Sequence, residues 1–205
     1  MYLALARKYR PQRFSDLIGQ PHVVKTLQNA VEMDKLYPAL IFSGMKGVGK
    51  TSTARILAKA LNCEKGPSRE PCNECRFCKE ITADQSPDYI EIDGASNNGV
   101  EEVRRLRETV KYKPMQNQYR VVVIDEVHML SNSAWNALLK TVEEPPDHTY
   151  FIMATTDFHK IPATIVSRCQ HLEFRRIPFE VIARLLREIC NLEKVQVSDY
   201  AVFLI

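Results

Sequence analysis

Two rhythms of apolar residues alternate along the chain. Five short runs rich in β-branched and aromatic residues occur at positions 39–43, 89–93, 121–124, 150–154 and 170–174. Several are apolar throughout, as strands buried on both faces of a parallel sheet must be. Helical spacing fills much of the rest. Residues 51–61 place Ala54, Leu57, Ala58 and Leu61 on one face, and residues 99–112 do the same with Val100, Val103, Leu106 and Val110. Residues 133–144 use Trp135, Leu138, Leu139 and Val142 and stop at Pro145 and Pro146, which cannot continue a helix. This alternation predicts an α/β fold, a five-stranded parallel sheet flanked by helices, with right-handed crossovers.

The pattern changes near Arg176, Ile177 and Pro178, which predicts a first domain over 1–177 and a second beginning at 178. Residues 180–191 read as a helix with Ile182, Leu185, Leu186 and Ile189 inward. The last five residues, Ala201, Val202, Phe203, Leu204 and Ile205, are nearly all large and apolar. The expectation is that residues 178–205 begin a second, helical domain that the sequence cuts short; a buried helix end is the alternative.

Composition narrows the class. With 205 residues, 45% hydrophobic and 26% charged, the chain can bury a core without disulfides. It contains no repeat and no low-complexity tract. No apolar run approaches the roughly 20 residues of a membrane helix. The stretch from Met1 to Lys8 lacks the apolar region and cleavage site of a signal peptide. A cytoplasmic protein without a membrane partner is expected. The net charge of +3 does not by itself specify nucleic acid. Two basic clusters, Arg7/Lys8/Arg10/Arg13 and Arg104/Arg105/Arg107/Lys111/Lys113, suit a solvated face or phosphate contacts.

The first candidate chemistry lies at Gly44, Met45, Lys46, Gly47, Val48, Gly49, Lys50 and Thr51, which fit G-x-x-x-x-G-K-S/T in full, with Ser52 next. The motif follows one predicted strand and opens a predicted helix, the context in which it binds phosphate. Glycines let successive N–H groups turn into one cavity, and the helix N-terminus adds partial positive charge. Lys50 supplies a full charge to the β/γ-phosphates, and the Thr51 hydroxyl is a ligand for Mg²⁺. The run 121–124 ends in Asp125 and Glu126. Such a pair also serves as a helix cap or solvated loop. Beside a phosphate loop it completes a constellation: Asp125 holds the Mg²⁺ shell and Glu126 orients and deprotonates the attacking water. Two acids favour ATP hydrolysis over phosphoryl transfer to a small acceptor. The strand at 150–154 leads to Thr155, Thr156 and Asp157, so a polar residue here faces the γ-phosphate or simply starts a loop. Arg168 is either a surface residue or an arginine finger for a neighbouring subunit's ATP.

Of six cysteines, four lie close together: Cys63, Cys72, Cys75 and Cys78, spaced C-x₈-C-x₂-C-x₂-C. Four thiolates close a tetrahedral structural Zn²⁺ site, with an iron–sulfur cluster or redox disulfides as rivals. The insertion at 62–80 is polar, and a metal cross-link is expected to hold its conformation. Cys169 and Cys190 read as small core residues.

Several segments resemble the bacterial DNA polymerase III gamma/tau family, the ATPase subunits of the clamp loader. These are residues 5–14, followed by 16–20; the phosphate loop with its cysteine insertion; 125–130; 136–146; and 154–157 running on to 167–169. Together they cover essentially the whole chain. The resemblance implies an AAA+ P-loop fold with a small helical lid. It implies that Thr156 is the sensor-1 position and that Arg168 acts in trans. It implies that Ala6, Tyr9, Arg10, Pro11 and Ile18 pack around the base and sugar of ATP. The implied partners are other clamp-loader subunits, the sliding clamp and primer–template DNA, with Arg104, Arg105 and Lys111 as candidate phosphate contacts. The implied lid arginine would follow Ile205, so residues 1–205 alone are expected to bind ATP poorly, hydrolyse it slowly and stay monomeric. Two other readings are a regulatory ATP-binding scaffold with a structural zinc site and another AAA+ DNA-remodelling ATPase. The intact Lys50, Thr51, Asp125 and Glu126 argue against the first, and the cysteine insertion with residues 167–169 against the second.

Overall fold

The computed structural model describes residues 4–203; Leu204 and Ile205 of the apolar end, like Met1 to Leu3, lie outside the described residues. Five strands form one parallel sheet: β1 (Ala39–Ser43), β2 (Tyr89–Asp93), β3 (Arg120–Asp125), β4 (Thr149–Thr155) and β5 (Gln170–Glu173), in the order β2-β3-β4-β1-β5. The expected runs are therefore all strands, each within two residues of the expected bounds. The helices are α1 (Leu5–Lys8), α2 (Pro21–Glu32), α3 (Lys50–Asn62), α4 (Arg76–Thr82), α5 (Val100–Val110), α6 (Asn132–Glu143), α7 (Ala163–Val166), α8 (Phe179–Leu192) and α9 (Asp199–Phe203).

Strand residues alternate between two cores, as the period of two requires. Leu40, Phe42, Val121, Val123, Ile152 and Ala154 pack with α2, α3 and Phe14 on one face. Ala39, Ile41, Val122, Ile124, Phe151 and Met153 pack with α5 and α6 on the other. Continuous apolar runs were thus the correct sign of a sheet covered on both sides.

Two elements depart from the expectations. α2 was not anticipated, although Pro21 opens it and Val23, Leu27 and Val31 recur every four residues on its buried face. On α8, Ile182, Leu186 and Ile189 are only half-buried, Leu185 is exposed, and Ala183 alone is buried. Periodicity placed the apolar stripe but not what covers it; among the described residues the helical contact α8 makes is chiefly with α9.

A buried ion pair fixes the loop before β3. Asp88 is fully buried, and its carboxylate accepts the N–H groups of Met115, Gln116 and Asn117 at 2.8–3.0 Å. Arg120 Nη2 lies 3.3 Å from it, and the same guanidinium donates to the carbonyls of Thr109, Tyr112 and Lys113. Asp88→Ala leaves a buried guanidinium without its counter-charge and three N–H groups without an acceptor. It is expected to lower stability by about 3–5 kcal/mol. Denaturant unfolding checks this, and a loss below about 1 kcal/mol would contradict it.

Candidate functional site

All five strands point the same way, so their C-terminal ends share one edge of the sheet, where ligands bind in open α/β folds. β1 ends at Ser43 beside Thr155 of β4, and β3 ends at Asp125 beside Asp93 of β2. The glycine-rich loop therefore leaves the sheet next to the acidic strand end and the threonine pair.

The loop winds over residues 44–49 into α3. Gly49 has φ 101°, a left-handed value that lets the chain turn directly into the helix. Gly44 admits no side chain, since a Cβ would meet the Phe174 carbonyl oxygen at 2.4 Å. Met45, Lys46 and Gly47 are exposed, Val48 is buried in the core, and Ser52 sits in the first turn of α3. Lys50 is buried, and its Nζ donates to the carbonyls of Gly44 and Met45 at 2.7 and 2.9 Å. Burial lowers its pKa, while Glu126 and Asp125 pull it back up. The Thr51 hydroxyl donates to Asp125 Oδ2 at 2.7 Å.

Glu126, directly after β3, adopts a left-handed φ of 46° and opens the 3-10 turn at Val127–Met129. Its Oε2 accepts both the hydroxyl of Thr156, at 2.7 Å, and its N–H, at 3.3 Å. The structure thus brings together Lys50, Thr51, Asp125, Glu126 and Thr156. It adds two residues with no role assigned from the sequence. His128 Nδ1 lies 3.0 Å from Thr155 Oγ1 and 3.4 Å from Glu126 Oε2. Gly94 sits so close that a Cβ would meet the carbonyl oxygens of Asp125 and Glu126 at 2.9 Å. Gly94 meets them because β2 and β3 end side by side, and His128, within the segment 125–130, meets Thr155 because β3 and β4 do.

The remaining candidates lie apart. Arg168 precedes β5 and pairs with Glu143, at the end of α6, at 2.7 Å. Arg168 lies two residues before β5 begins, so it sits at the opposite edge of the sheet, a strand length of about 15 Å from its own loop. Ala6, Arg10 and Pro11 line a groove with Arg55, Lys59 and Thr82. Tyr9 donates to Glu193, beyond α8, at 2.5 Å, and Lys8 does so at 2.6 Å. Ile18 is half-buried, and its neighbour Leu17, not Ile18, lies beside Gly49. In the second basic cluster, Arg104, Arg105 and Lys111 each pair with a glutamate three residues before on α5.

The four cysteines converge. Their Sγ atoms lie within 4.8 Å of one another, with Cys72 and Cys78 at 4.0 Å. Ligands at 2.3 Å around a tetrahedral ion stand about 3.8 Å apart, so the donor set fits one metal. Cys63 caps α3, Cys75 caps α4 and Cys78 lies in α4. The N–H groups of Cys75 and Glu74 hold the Cys72 thiol down to about 6, whereas burial raises Cys63 and Cys78. A bound cation would be what deprotonates the latter two. Within the insertion Pro71 is buried, and Glu70 accepts the N–H groups of Phe14 and Ser15 outside it.

Comparison with known proteins decides the lineage. The family described as "DNA polymerase III, delta subunit" matches residues 19–178. The chain belongs to this family. It is 56% identical to the DNA polymerase III subunit tau of Bacillus subtilis over 97% of its own length and 35% of that protein's. It is 48% identical to the tau subunit of Escherichia coli over 95% of its length and 30% of that protein's. It thus spans about a third of these relatives. Among solved structures, the Thermotoga maritima RuvB Holliday junction branch migration motor matches 95% of this family member and 58% of its own chain, with TM-score 0.66 and 20% identity. At that identity the likeness is one of fold alone, the AAA+ fold. No helix among the described residues is long and apolar enough to cross a membrane.

Proposed function

We propose that the protein is an ATP-hydrolysing subunit of the bacterial DNA polymerase III clamp loader, which uses ATP to open the sliding clamp and load it onto primed DNA. The observation that carries the hydrolytic part is the meeting of Thr51 and Asp125 at 2.7 Å beside Glu126 and Thr156. Two oxygens at that spacing suit adjacent corners of an octahedral Mg²⁺ shell, where neighbours stand about 3 Å apart. Mg²⁺ held there would supply charge neutralisation on the β/γ-phosphate oxygens of ATP.

The chain's own groups do the rest. N–H groups of residues 44–51 and the N-terminus of α3 receive the phosphates. Lys50 exchanges two neutral carbonyls for phosphate oxygens. Glu126 orients the attacking water and takes its proton, and Thr156 holds the Glu126 carboxylate and faces the γ-phosphate. Arg168, too far from its own loop, serves the ATP of an adjacent subunit. Ala6, Tyr9, Arg10, Pro11 and Ile18 border the base and sugar. Residues 178–203 form the start of the lid. The relatives' names support membership of a polymerase III assembly. The proposed partners are the other loader subunits, the clamp and primer–template DNA, in the cytoplasm. DNA contact would be mainly to phosphates and weaken steeply with salt. No constellation for nucleotidyl transfer is proposed.

ATP turnover by the protein assembled with loader subunits, clamp and primed DNA tests the function. Glu126→Gln is expected to bind ATP normally and lose turnover by about a hundredfold or more; undiminished steady-state hydrolysis would sink the role of Glu126. Arg168→Ala is expected to slow the neighbouring subunit's site by about a thousandfold. Mixed assemblies in which only the mutant's own site slows would refute action in trans. The cysteine cluster is proposed to hold structural Zn²⁺. Elemental analysis should find one zinc per chain, lost in Cys78→Ser; iron in its place, or no metal in the intact protein, would reject zinc.

A further inference from the structure

The cysteine insertion is tied to the segment that runs past the phosphate loop. Residues 10–20 form a strap between α1 and α2. Glu70, between Cys63 and Cys72, accepts the N–H of Phe14 at 2.9 Å, the N–H of Ser15 at 3.0 Å and the Gln28 amide at 2.9 Å. Lys59 rises from α3, almost wholly buried. Its Nζ donates to the Gln12 carbonyl at 2.9 Å, to Gln12 Oε1 at 2.8 Å and to Asn73 Oδ1 at 2.7 Å. The Thr82 hydroxyl, which donates to the Cys78 carbonyl at 2.8 Å, lies 3.3 Å from Gln12 Oε1.

A count of backbone donors shows what these ties do. The N–H groups of Gln12 and Arg13 end on Asp16, and those of Phe14 and Ser15 end on Glu70. Asp16 belongs to the strap and moves with it. Glu70 does not, so it is the fixed acceptor. At its other end the strap is pinned by Gln20, whose amide exchanges two hydrogen bonds with the backbone of Arg175, at 2.7 and 3.0 Å. Between the two anchors, Leu17 comes to 3.5 Å from where a Cβ of Gly49 would stand. The strap is therefore stretched across the phosphate loop from the cysteine segment to the edge of the sheet.

We infer that Glu70 and Lys59 are positioning residues that make the cysteine segment the anchor of this strap, and that the anchor sets nucleotide affinity. A strap already held in place need not be ordered when nucleotide binds. Joining four thiolates through one ion fixes the backbone on both sides of Glu70 and so stiffens the anchor. The inference rests on the proposed nucleotide and zinc sites.

The test compares the wild-type protein with Glu70→Ala and Lys59→Met, using a fluorescent ATP analogue. Both variants should bind it about tenfold more weakly, the size expected for losing charge-assisted hydrogen bonds. Amide exchange should speed up at residues 12–17 but not in α3, with zinc content kept. Stripping zinc from the wild type, with a zinc-selective chelator in excess Mg²⁺, should weaken binding similarly and add little in Glu70→Ala. Wild-type affinity in a variant whose strap exchanges faster would overturn the inference. So would unchanged exchange at 12–17, or zinc removal weakening Glu70→Ala as much as wild type. If Glu70→Ala does not retain zinc, Lys59→Met decides alone, since it cuts the tie from the α3 side. Failure of the wild type to bind the analogue would instead remove the nucleotide site itself, and the inference with it.

Discussion

The parallel pairing of β1, β4 and β3 is the constraint on which the candidate site depends. Both faces of these strands are buried, so a polar side chain can leave the core only where a strand ends. Parallel direction puts every such exit on one edge. Register then decides which residues meet: Ser43 lies beside Thr155 and Ile124 beside Met153, so the glycine loop, Asp125, Glu126 and Thr156 emerge as neighbours. More than a hundred residues of chain separate the first from the last, yet three adjacent strands suffice to assemble them.

The electrostatics of that edge are balanced rather than neutral. Lys50 is buried among carbonyl oxygens, with two carboxylates that oppose, without cancelling, the effect of desolvation. Thr51 spends its hydroxyl proton on Asp125, and Thr156 spends two donors on Glu126. Each group is thus partnered by one it would have to share or release when a polyanion and its counter-cation arrive. Such exchangeable hydrogen bonds keep the side chains oriented without locking them, because each bond already has an ionic member and its groups would meet another charge in the arriving phosphates or cation.

How much of this was legible follows from the kind of signal each part sends. The central strands β1, β3 and β4 were visible because burial on both faces forces an uninterrupted apolar run, and the edge strands β2 and β5 by their shorter apolar signal. The phosphate loop was visible because its backbone geometry demands glycines at fixed offsets. Three things were harder to see. α2 carries the narrow buried stripe of Val23, Leu27 and Val31 among mostly polar residues. The apolar side of α8 was correctly periodic, but periodicity says nothing of what lies opposite. Gly94 and His128 matter only through strand neighbours that the sequence does not pair explicitly. The cysteines show an intermediate case: spacing announced a cluster, but the anchoring of Glu70 on Phe14 and Ser15 spans more than fifty residues and has no local pattern.

Arg168 shows how topology constrains mechanism even where one chain does not complete the site. The chain leaves β4 at the nucleotide edge and must return to the far edge before β5 can run parallel; Arg168 lies at the end of that return. A parallel sheet therefore carries this arginine away from its own loop, whatever its side-chain rotamer. Its present partner is Glu143, in a pair exposed enough to water to be worth about 1 kcal/mol at most. A phosphate presented by an adjacent subunit would offer bidentate, charge-assisted contacts that easily displace such a pair. On the proposed reading, then, one subunit carries a binding site whose full positive charge arrives only when another copy of this edge docks against it, and hydrolysis is coupled to assembly by the connectivity of the sheet.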